Sequence, residues 1–307
     1  MDYKWLGSTG VKVSQLCYGT MSFGGDADEA ESGRMYAACR DAGINFFDCA
    51  DAYSHGKAEE ILGKLIACER NQLVITSKCF NPITEDINDR GANRRHIPRA
   101  VEASLKRLGT DHLDLFLLHD DDGKTPPAEI AETMDRLVRA GKVRYWGLSN
   151  FSAGNVSRYV KLPRQKTRSR VSGTEDYFHI AAGLRMPTDL LQVIGNAGLG
   201  ILAFSPQDCG RLSPGRKENA SYGSLVSTLD DVAAELETTR PRVLIAWSLA
   251  NPTVTSVLGG AESVAHVDDN IGGTHLQIPS ELMARLNEAG RAHTRRRRAR
   301  AAGQSKK

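Results

Sequence analysis

The amino-acid sequence predicts an α/β protein, a (β/α)8 barrel of the TIM-barrel class preceded by an N-terminal β-hairpin. The chain has 307 residues, a length at which a closed α/β barrel forms one domain. Short runs rich in Val, Ile, Leu and Phe recur without polar alternation, as in strands that are buried on both faces of a parallel sheet. Segments with apolar residues at helical spacing separate these runs.

The strand runs follow one another along the whole chain. The clear runs are Gln15–Thr20, Ile44–Asp48, Leu73–Lys78, Asp114–His119, Val143–Asn150, Gly200–Ser205 and Thr253–Gly259. Another strand fits at Arg170–Thr174, although Arg170, Ser172 and Gly173 are weak strand formers. An open doubly wound sheet is disfavoured, because such a sheet usually carries a G-x-G-x-x-G turn after its first strand. The segment Gly19–Gly25 does not match that motif.

Helices are predicted between the strands, at Lys57–Cys68, Arg94–Leu108, Pro127–Ala140 and Pro241–Ala250. Gly43, Gly109 and Gly141 each follow a last helical turn, a position where glycine commonly ends a helix. The opening segment Tyr3–Val13 contains a Ser8-Thr9-Gly10 turn and is predicted to form a hairpin that caps the barrel floor. The barrel is predicted to span residues 1–290.

Composition places the chain among ordinary globular proteins, with 40% apolar and 25% charged residues. No apolar run approaches the ~18 residues that cross a bilayer, and Met1–Trp5 lacks the order of a secretory signal. A cytoplasmic protein without a membrane partner is therefore expected. The six cysteines contain no C-x-x-C pair, which predicts buried reduced thiols.

The positive charge is concentrated at the C-terminus. Eight of the 40 Lys and Arg residues lie between Arg291 and Lys307, which leaves 32 basic against 37 acidic residues in the body. Residues 291–307 are predicted to form a basic, disordered tail. Nucleic acid is a disfavoured partner, because no aromatic residue is interleaved with the arginines to stack on bases.

Polar residues at strand ends predict the chemistry, because barrel enzymes react at the C-terminal ends of their strands. The second to fourth strands end at Asp48, Lys78 and His119, and Tyr53 follows Asp48 by five residues. An ammonium near a phenol favours the phenolate, a carboxylate can hold the ammonium, and an imidazole can orient a substrate oxygen. The set predicts a general acid for a carbonyl oxygen.

Other chemistries fit this set less well. It contains no Ser or Cys nucleophile. His119 is followed by Asp120, Asp121 and Asp122, which is typical of a solvated loop, and no metal is predicted. A metal-dependent barrel hydrolase remains a minor alternative.

Several motifs resemble one family in order and spacing. The segment Phe47–Tyr53 resembles its D-x-A-x-x-Y signature, Ile75–Lys78 its lysine strand, and Asp114–His119 its histidine strand. The segment Gly141–Phe151 resembles G-K-[IV]-R-x-x-G-x-S-N-[FW]. Through these motifs the chain resembles an aldo-keto reductase from about Tyr3 to Asn287.

The resemblance implies reduction of a small-molecule aldehyde or ketone by NAD(P)H. Its catalytic residues would be Asp48, Tyr53, Lys78 and His119, with Tyr53 as the proton donor. The implied cofactor-binding residues are Gly19, Thr20, Met21, Asp48, Ser149, Asn150, Phe204, Ser205, Gln207, Gly210, Arg211, Glu262, His266 and Asn270. Within this set, Ser149 and Asn150 would hold the nicotinamide carboxamide and Asn270 the adenine.

Two departures from the family pattern bear on the cofactor. The family usually has a Gln three residues before a Tyr in the sixth strand, and alignment on Tyr177 places Thr174 there. No Lys or Arg lies between Arg242 and Arg285, where relatives that select NADP usually carry one. The resemblance favours NADPH, with Arg211 as one source of positive charge, and NADH is possible.

An alternative function comes from the same resemblance. Potassium-channel β subunits resemble this family, so the chain is alternatively a cofactor-binding barrel that acts as a regulatory or interaction protein with little turnover. The sequence indicates neither the physiological substrate nor the oligomeric state.

Overall fold

The computed structural model describes residues 1–163, 169–182, 188–217 and 219–304. Its centre is a closed barrel of parallel strands in chain order, with the last strand paired to the first. The barrel strands are β3 (Leu16–Gly19), β4 (Phe46–Asp48), β5 (Val74–Cys79), β6 (Leu113–Leu118), β7 (Val143–Ser149), β8 (Val171–Tyr177), β9 (Gly200–Phe204) and β10 (Val254–Gly260). The predicted (β/α)8 barrel is confirmed.

Helices surround the barrel, and most of them pack against its strands. They are α1 (Glu29–Asp41), α2 (Lys57–Ile66), α3 (His96–Leu108), α4 (Pro127–Arg139), α5 (Ala153–Val160), α6 (Thr188–Asn196), α7 (Asn219–Tyr222), α8 (Ser224–Glu235), α9 (Arg240–Leu249), α10 (Val264–His275) and α11 (Ser280–Gln304). Helices α8 and α11 instead share an apolar cluster with α9. Gly109 ends α3 in the left-handed conformation, at φ 62°, as its position in the sequence predicts. In the described part of the chain, no helix is both long and apolar enough to cross a membrane.

The N-terminal hairpin pairs β1 (Tyr3–Trp5) with β2 (Lys12–Ser14) in antiparallel register. Leu6 and Val13 are fully buried and pack with barrel residues such as Phe46 and Leu115. Gly7 lies so close to the backbone of β8 and β9 that a Cβ atom would overlap it. The hairpin therefore closes one end of the barrel, as expected.

The weakly predicted strand is a full member of the barrel. Strand β8 runs from Val171 to Tyr177 and all of its residues are buried. The pairing of β7 with β8 shifts its register between Trp146 and Gly147 of β7. A Cβ atom on Gly147 would overlap the carbonyl of Gly173. Glycine at this crossing permits close strand approach, so tertiary pairing overrides the low strand propensity of the segment.

The expectation of a disordered tail from residue 291 is wrong for residues 291–304, which continue α11. The helix packs through Leu282 and Leu286 against an apolar cluster that includes α8 and α9 residues. Further along, His293 is buried and stacks on Tyr222, with 5.1 Å between ring centroids. These contacts compensate the entropy cost of ordering the segment. Residues 305–307 lie outside the described residues.

Candidate active site

The structure brings the four predicted catalytic residues together at one end of the barrel. Asp48 ends β4, Lys78 lies in the adjacent strand β5, and His119 follows β6 directly. The Lys78 Nζ atom lies 2.5 Å from Asp48 Oδ2 and 3.3 Å from Tyr53 Oη. It also donates to the Cys49 carbonyl at 2.9 Å. Parallel pairing of neighbouring strands produces this convergence, because residues at the same strand end become neighbours.

A strained turn presents Tyr53. It begins a 3₁₀ turn, Tyr53–Gly56, in which Ser54 and His55 have φ values of 47° and 54°. Such left-handed conformations are uncommon for non-glycine residues and often occur at functional sites. The Ser54 hydroxyl donates to the Phe23 carbonyl at 2.9 Å, which helps to hold the turn in place.

His119 is held as a neutral imidazole beside Tyr53. The two rings meet edge to face, with centroids 6.0 Å apart. The Asn150 side chain donates to the His119 carbonyl at 3.0 Å. Burial, and then the Lys78 ammonium, lower the pKa of His119 to about 3. A neutral imidazole can donate one hydrogen bond and accept another, which suits the orientation of a substrate oxygen.

Burial has a larger effect on Tyr53 than the sequence predicts. It raises the pKa of Tyr53 well above the ordinary value, the Lys78 ammonium lowers it, and the Asp48 and Glu175 carboxyls raise it further. The sequence predicts that Lys78 makes the phenol more acidic, and the Lys78 ammonium taken alone does lower the pKa of Tyr53. The net shift is upward, because desolvation disfavours the phenolate.

Glu175 is a site residue that the sequence analysis did not identify. It lies in β8 opposite Ser149 of β7, is 3% exposed, and places Oε1 3.4 Å from Lys78 Nζ. Alignment on Tyr177 points to Thr174, but successive strand residues face opposite sides, and Glu175 is the residue that contacts Lys78. An available signal was the charged pair Glu175-Asp176, which directly follows the strand predicted at Arg170–Thr174 and so stands at a strand end, where barrel enzymes place site residues.

The residues expected at the nicotinamide end lie on neighbouring strand ends. Thr20, just after β3, donates through its hydroxyl to the Asp48 carbonyl at 2.9 Å. Ser149 is buried at the end of β7, and Asn150 follows it with a φ of 62°. The remaining expected residues here are Gly19, which ends β3, Met21, which is 67% exposed, and Phe204, which ends β9.

The residues expected at the pyrophosphate and adenine end lie after β9 and β10. In the loop after β9, Gln207 accepts from Ser213 at 2.8 Å and contacts Asn270 of α10 at 3.5 Å. Asn270 also donates to the Gly260 carbonyl at 3.0 Å. Ser205 and Gly210 have positive φ values and bracket this loop. The exposed Arg211 pairs with Asp208 at 3.5 Å.

Carboxylates surround the start of α10. Glu262 and His266 are both exposed, and the Glu262 amide donates to His266 Nδ1 at 3.4 Å. The Val264 amide, at the first turn of α10, donates to Glu31 Oε1 at 3.2 Å. The helix start, which commonly binds anions, therefore already has a carboxylate from α1 as its partner.

The comparisons with known proteins agree with this geometry. A model of the Aldo/keto reductase family matches residues 15–291.

The chain belongs to the aldo/keto reductase family.

The matched relatives carry two kinds of name. A protein named uncharacterized oxidoreductase YrpG, from Bacillus subtilis (strain 168), is 34% identical over 94% of this chain and 95% of its own length. Two proteins named probable voltage-gated potassium channel subunit beta come from Arabidopsis thaliana and Oryza sativa subsp. japonica. They are 32% and 31% identical, each over 88% of this chain and 90% of its own length.

Family membership supports an oxidoreductase role with a nicotinamide cofactor. The residues at the strand ends fit such a group. His119 Nδ1 is buried and has no hydrogen-bond partner among the described residues, so a polar atom at the reacting end is left for a ligand. In the described part of the chain, no cluster of three or more His, Cys, Asp or Glu residues forms a metal site.

Proposed function

We propose that the protein is an NAD(P)H-dependent carbonyl reductase in which Tyr53 protonates the substrate oxygen. The observation that supports this proposal is the contact of Tyr53 Oη with Lys78 Nζ at 3.3 Å, where Lys78 is in turn held by Asp48. A bound reduced nicotinamide supplies the hydride to the carbonyl carbon. The Tyr53 hydroxyl donates its proton to the carbonyl oxygen, which balances the addition and leaves an alcohol and a phenolate.

The neighbouring residues orient the carbonyl oxygen, stabilise the phenolate and bind the nicotinamide. The neutral His119 imidazole donates a hydrogen bond to the carbonyl oxygen and orients it toward Tyr53. The Lys78 ammonium stabilises the phenolate that forms. Ser149 and Asn150 would hold the nicotinamide carboxamide, and Phe204 would stack on its ring.

NADPH is the proposed cofactor, with NADH accepted. Family resemblance favours NADPH, and Arg211 is a positive charge in the loop after β9, near the expected pyrophosphate position. The exposed Glu262 and the Glu31 contact to Val264 put negative charge near the start of α10, and the family resemblance leads us to expect the 2′-phosphate there. We therefore propose that NADPH binds more weakly here than in a relative with Arg at the position of Glu262.

The first test is Tyr53→Phe, assayed by NADPH oxidation against a panel of aldehydes and ketones. The variant should lose ~10²–10⁴-fold in turnover, which is the usual contribution of general acid catalysis. Its NADPH dissociation constant should stay close to that of the wild type, because only one hydroxyl is removed. Wild-type turnover in the variant would exclude Tyr53 as the acid.

A second candidate function is supported by the names of the channel-subunit relatives. In that case the barrel would bind the cofactor and act through a partner protein, with little turnover. The same panel separates the two functions. NADPH binding without reduction of any carbonyl would favour the interaction role, whereas turnover that depends on Tyr53 favours the reductase.

A further inference from the structure

The catalytic lysine has two carboxyl partners, one on each side. Lys78 Nζ lies 2.5 Å from Asp48 Oδ2 and 3.4 Å from Glu175 Oε1. The side chains of Lys78 and Asp48 have no exposed surface, and that of Glu175 is 3% exposed. One buried ammonium can neutralise one carboxylate, so a second ionised carboxylate would leave an uncompensated negative charge in a dry site.

The two carboxyls face the same ammonium. Asp48 Oδ2 and Glu175 Oε1 both lie within 3.4 Å of Lys78 Nζ. The oxygens that do not face the ammonium, Asp48 Oδ1 and Glu175 Oε2, are buried and have no donor among the described residues. Two carboxylates cannot form a hydrogen bond unless one of them carries a proton. A single proton held between them supplies the missing donor and removes the excess charge.

We propose that Asp48 and Glu175 share one proton above Lys78, and that Glu175 is thereby a positioning residue that weakens the pull of the Lys78 ammonium on the Tyr53 phenol. This inference rests on the proposed role of Tyr53 as the acid. Burial, and then the Asp48 carboxyl, raise the pKa of Glu175 well above its ordinary value, which agrees with a proton on this pair.

The other titratable groups that act on this cluster are Tyr53, His119, Cys17, Cys49 and Asp51. Cys17 in β3 is fully buried, and burial raises the pKa of its thiol well above the ordinary value. The imidazole of His119 is neutral. Burial raises the pKa of Asp51 to about 8. The carboxyl pair, which contacts Lys78 directly, is proposed to lose its proton before Tyr53 does.

The sign of the effect follows from this order. As the pH rises, the shared proton leaves first, and the new negative charge opposes ionisation of Tyr53. The phenol stays protonated to higher pH than it would beside one carboxylate. Because reduction needs the protonated phenol and oxidation needs the phenolate, Glu175 extends reduction to alkaline pH and disfavours alcohol oxidation.

The test compares Glu175→Gln with the wild type in two measurements. The first is the pH profile of alcohol oxidation at saturating NADP⁺. Gln keeps the shape of the side chain but cannot ionise, so the inflection should move to lower pH by about one unit or more. Lys78→Met should move it the opposite way. An unchanged inflection in Glu175→Gln overturns the positioning role.

The matched control is Glu59→Gln. Glu59 is fully buried, as Glu175 nearly is, but its partners are Arg107, with Nε at 2.6 Å, and the Ser77 hydroxyl, also at 2.6 Å. Its substitution should leave the inflection where it is in the wild type. A shift equal to that of Glu175→Gln would show a general effect of removing buried acids, and would overturn the specific role.

The second measurement needs no turnover. The infrared difference spectrum of the wild type minus Glu175→Gln at neutral pH should contain a protonated carboxylic acid band. A difference that contains only carboxylate bands overturns the shared proton. If no carbonyl is reduced by the wild type but the acid band is present, the proposed function fails while the shared proton stands. If reduction depends on Tyr53 but the band is absent, the opposite conclusion holds.

Discussion

At the scale of single residues, burial and pairwise charge act in opposite directions on the pKa values of the site, and their balance differs from one residue to the next. Lys78 is the clearest example. Burial alone lowers its pKa, but the Asp48 and Glu175 carboxyls outweigh that effect and raise the net pKa well above the ordinary value. At Tyr53 the balance is reversed, because burial raises the pKa by more than the Lys78 ammonium lowers it. The Tyr53 phenol therefore remains protonated over the whole physiological range.

Asp51 provides a test of this view through stability. It lies between Asp48 and Tyr53 and is 1% exposed; burial, and then the Glu59 carboxylate, raise its pKa from 3.8 to about 8. A group whose pKa is raised by folding contributes stability that is complete below its unfolded value and is lost as pH rises through its folded value. Ionisation of Asp51 therefore opposes folding increasingly between these two values.

Asp51→Asn should remove this dependence, because Asn imitates the neutral acid. Relative to the wild type, the variant should gain about 1–4 kcal/mol between acidic and neutral pH. Urea unfolding at a series of pH values measures the gain. A constant difference between the two proteins across that range would mean that Asp51 ionises normally in the folded state.

At the scale of elements, the C-terminal helix is tied to the loop that is expected to bind the pyrophosphate. The Tyr177 and Tyr222 hydroxyls both donate to the Asp208 carboxylate in that loop. Tyr222 stacks on His293 of α11 at an interplanar angle of 16°. The helix also reaches α8, where the Arg296 side chain donates to the Ser224 hydroxyl at 2.7 Å. The order of this segment therefore supports the position of Asp208.

Removal of residues 291–307 should weaken cofactor binding several-fold and lower the melting temperature by a few degrees, because the stack on Tyr222 is lost while the catalytic strands stay intact. Isothermal titration with NADPH and a thermal melt measure the two effects. The control removes residues 305–307 alone and should change neither quantity. An unaltered dissociation constant in the longer truncation would show that the helix does not support the loop.

At the scale of the whole molecule, charge is divided between an acidic barrel and a basic end of α11. The positive residues of that end lie on α11, and the start of α10 is lined by Glu262 and by the Glu31 that accepts from Val264. Arg242, in the preceding helix, is paired with Asp269 at 3.1 Å. The adenosine end of the expected cofactor site is therefore poor in free positive charge.

Glu262→Arg should strengthen NADPH binding by about tenfold and leave NADH binding nearly unchanged, because only NADPH carries the 2′-phosphate. A factor of ten corresponds to ~1.4 kcal/mol, which is typical of a new charge-assisted contact in a hydrated site. Fluorescence titration of both reduced cofactors at two salt concentrations measures it. Equal changes for the two cofactors would place residue 262 away from the phosphate.

The sequence by itself determined the barrel and the meeting of the four residues that are proposed to be catalytic. Buried parallel strands have a continuous apolar pattern, and Asp48, Lys78 and His119 stand at or immediately after the ends of such strands, so strand order alone predicts that they meet. Tyr53 follows from its short distance to Asp48 along the chain. These inferences need only local pattern and the topology of a closed barrel.

The tertiary structure decided what depends on register and on distant partners. Glu175 reaches Lys78 because β8 shifts its register against β7 beside Gly147, and a shift of one residue reverses which side chains face inward. The order of residues 291–304 depends on Tyr222, a partner about seventy residues earlier in the chain. Desolvation, which sets the protonation of Tyr53 and His119, is likewise a property of the folded environment and cannot be read from residue types.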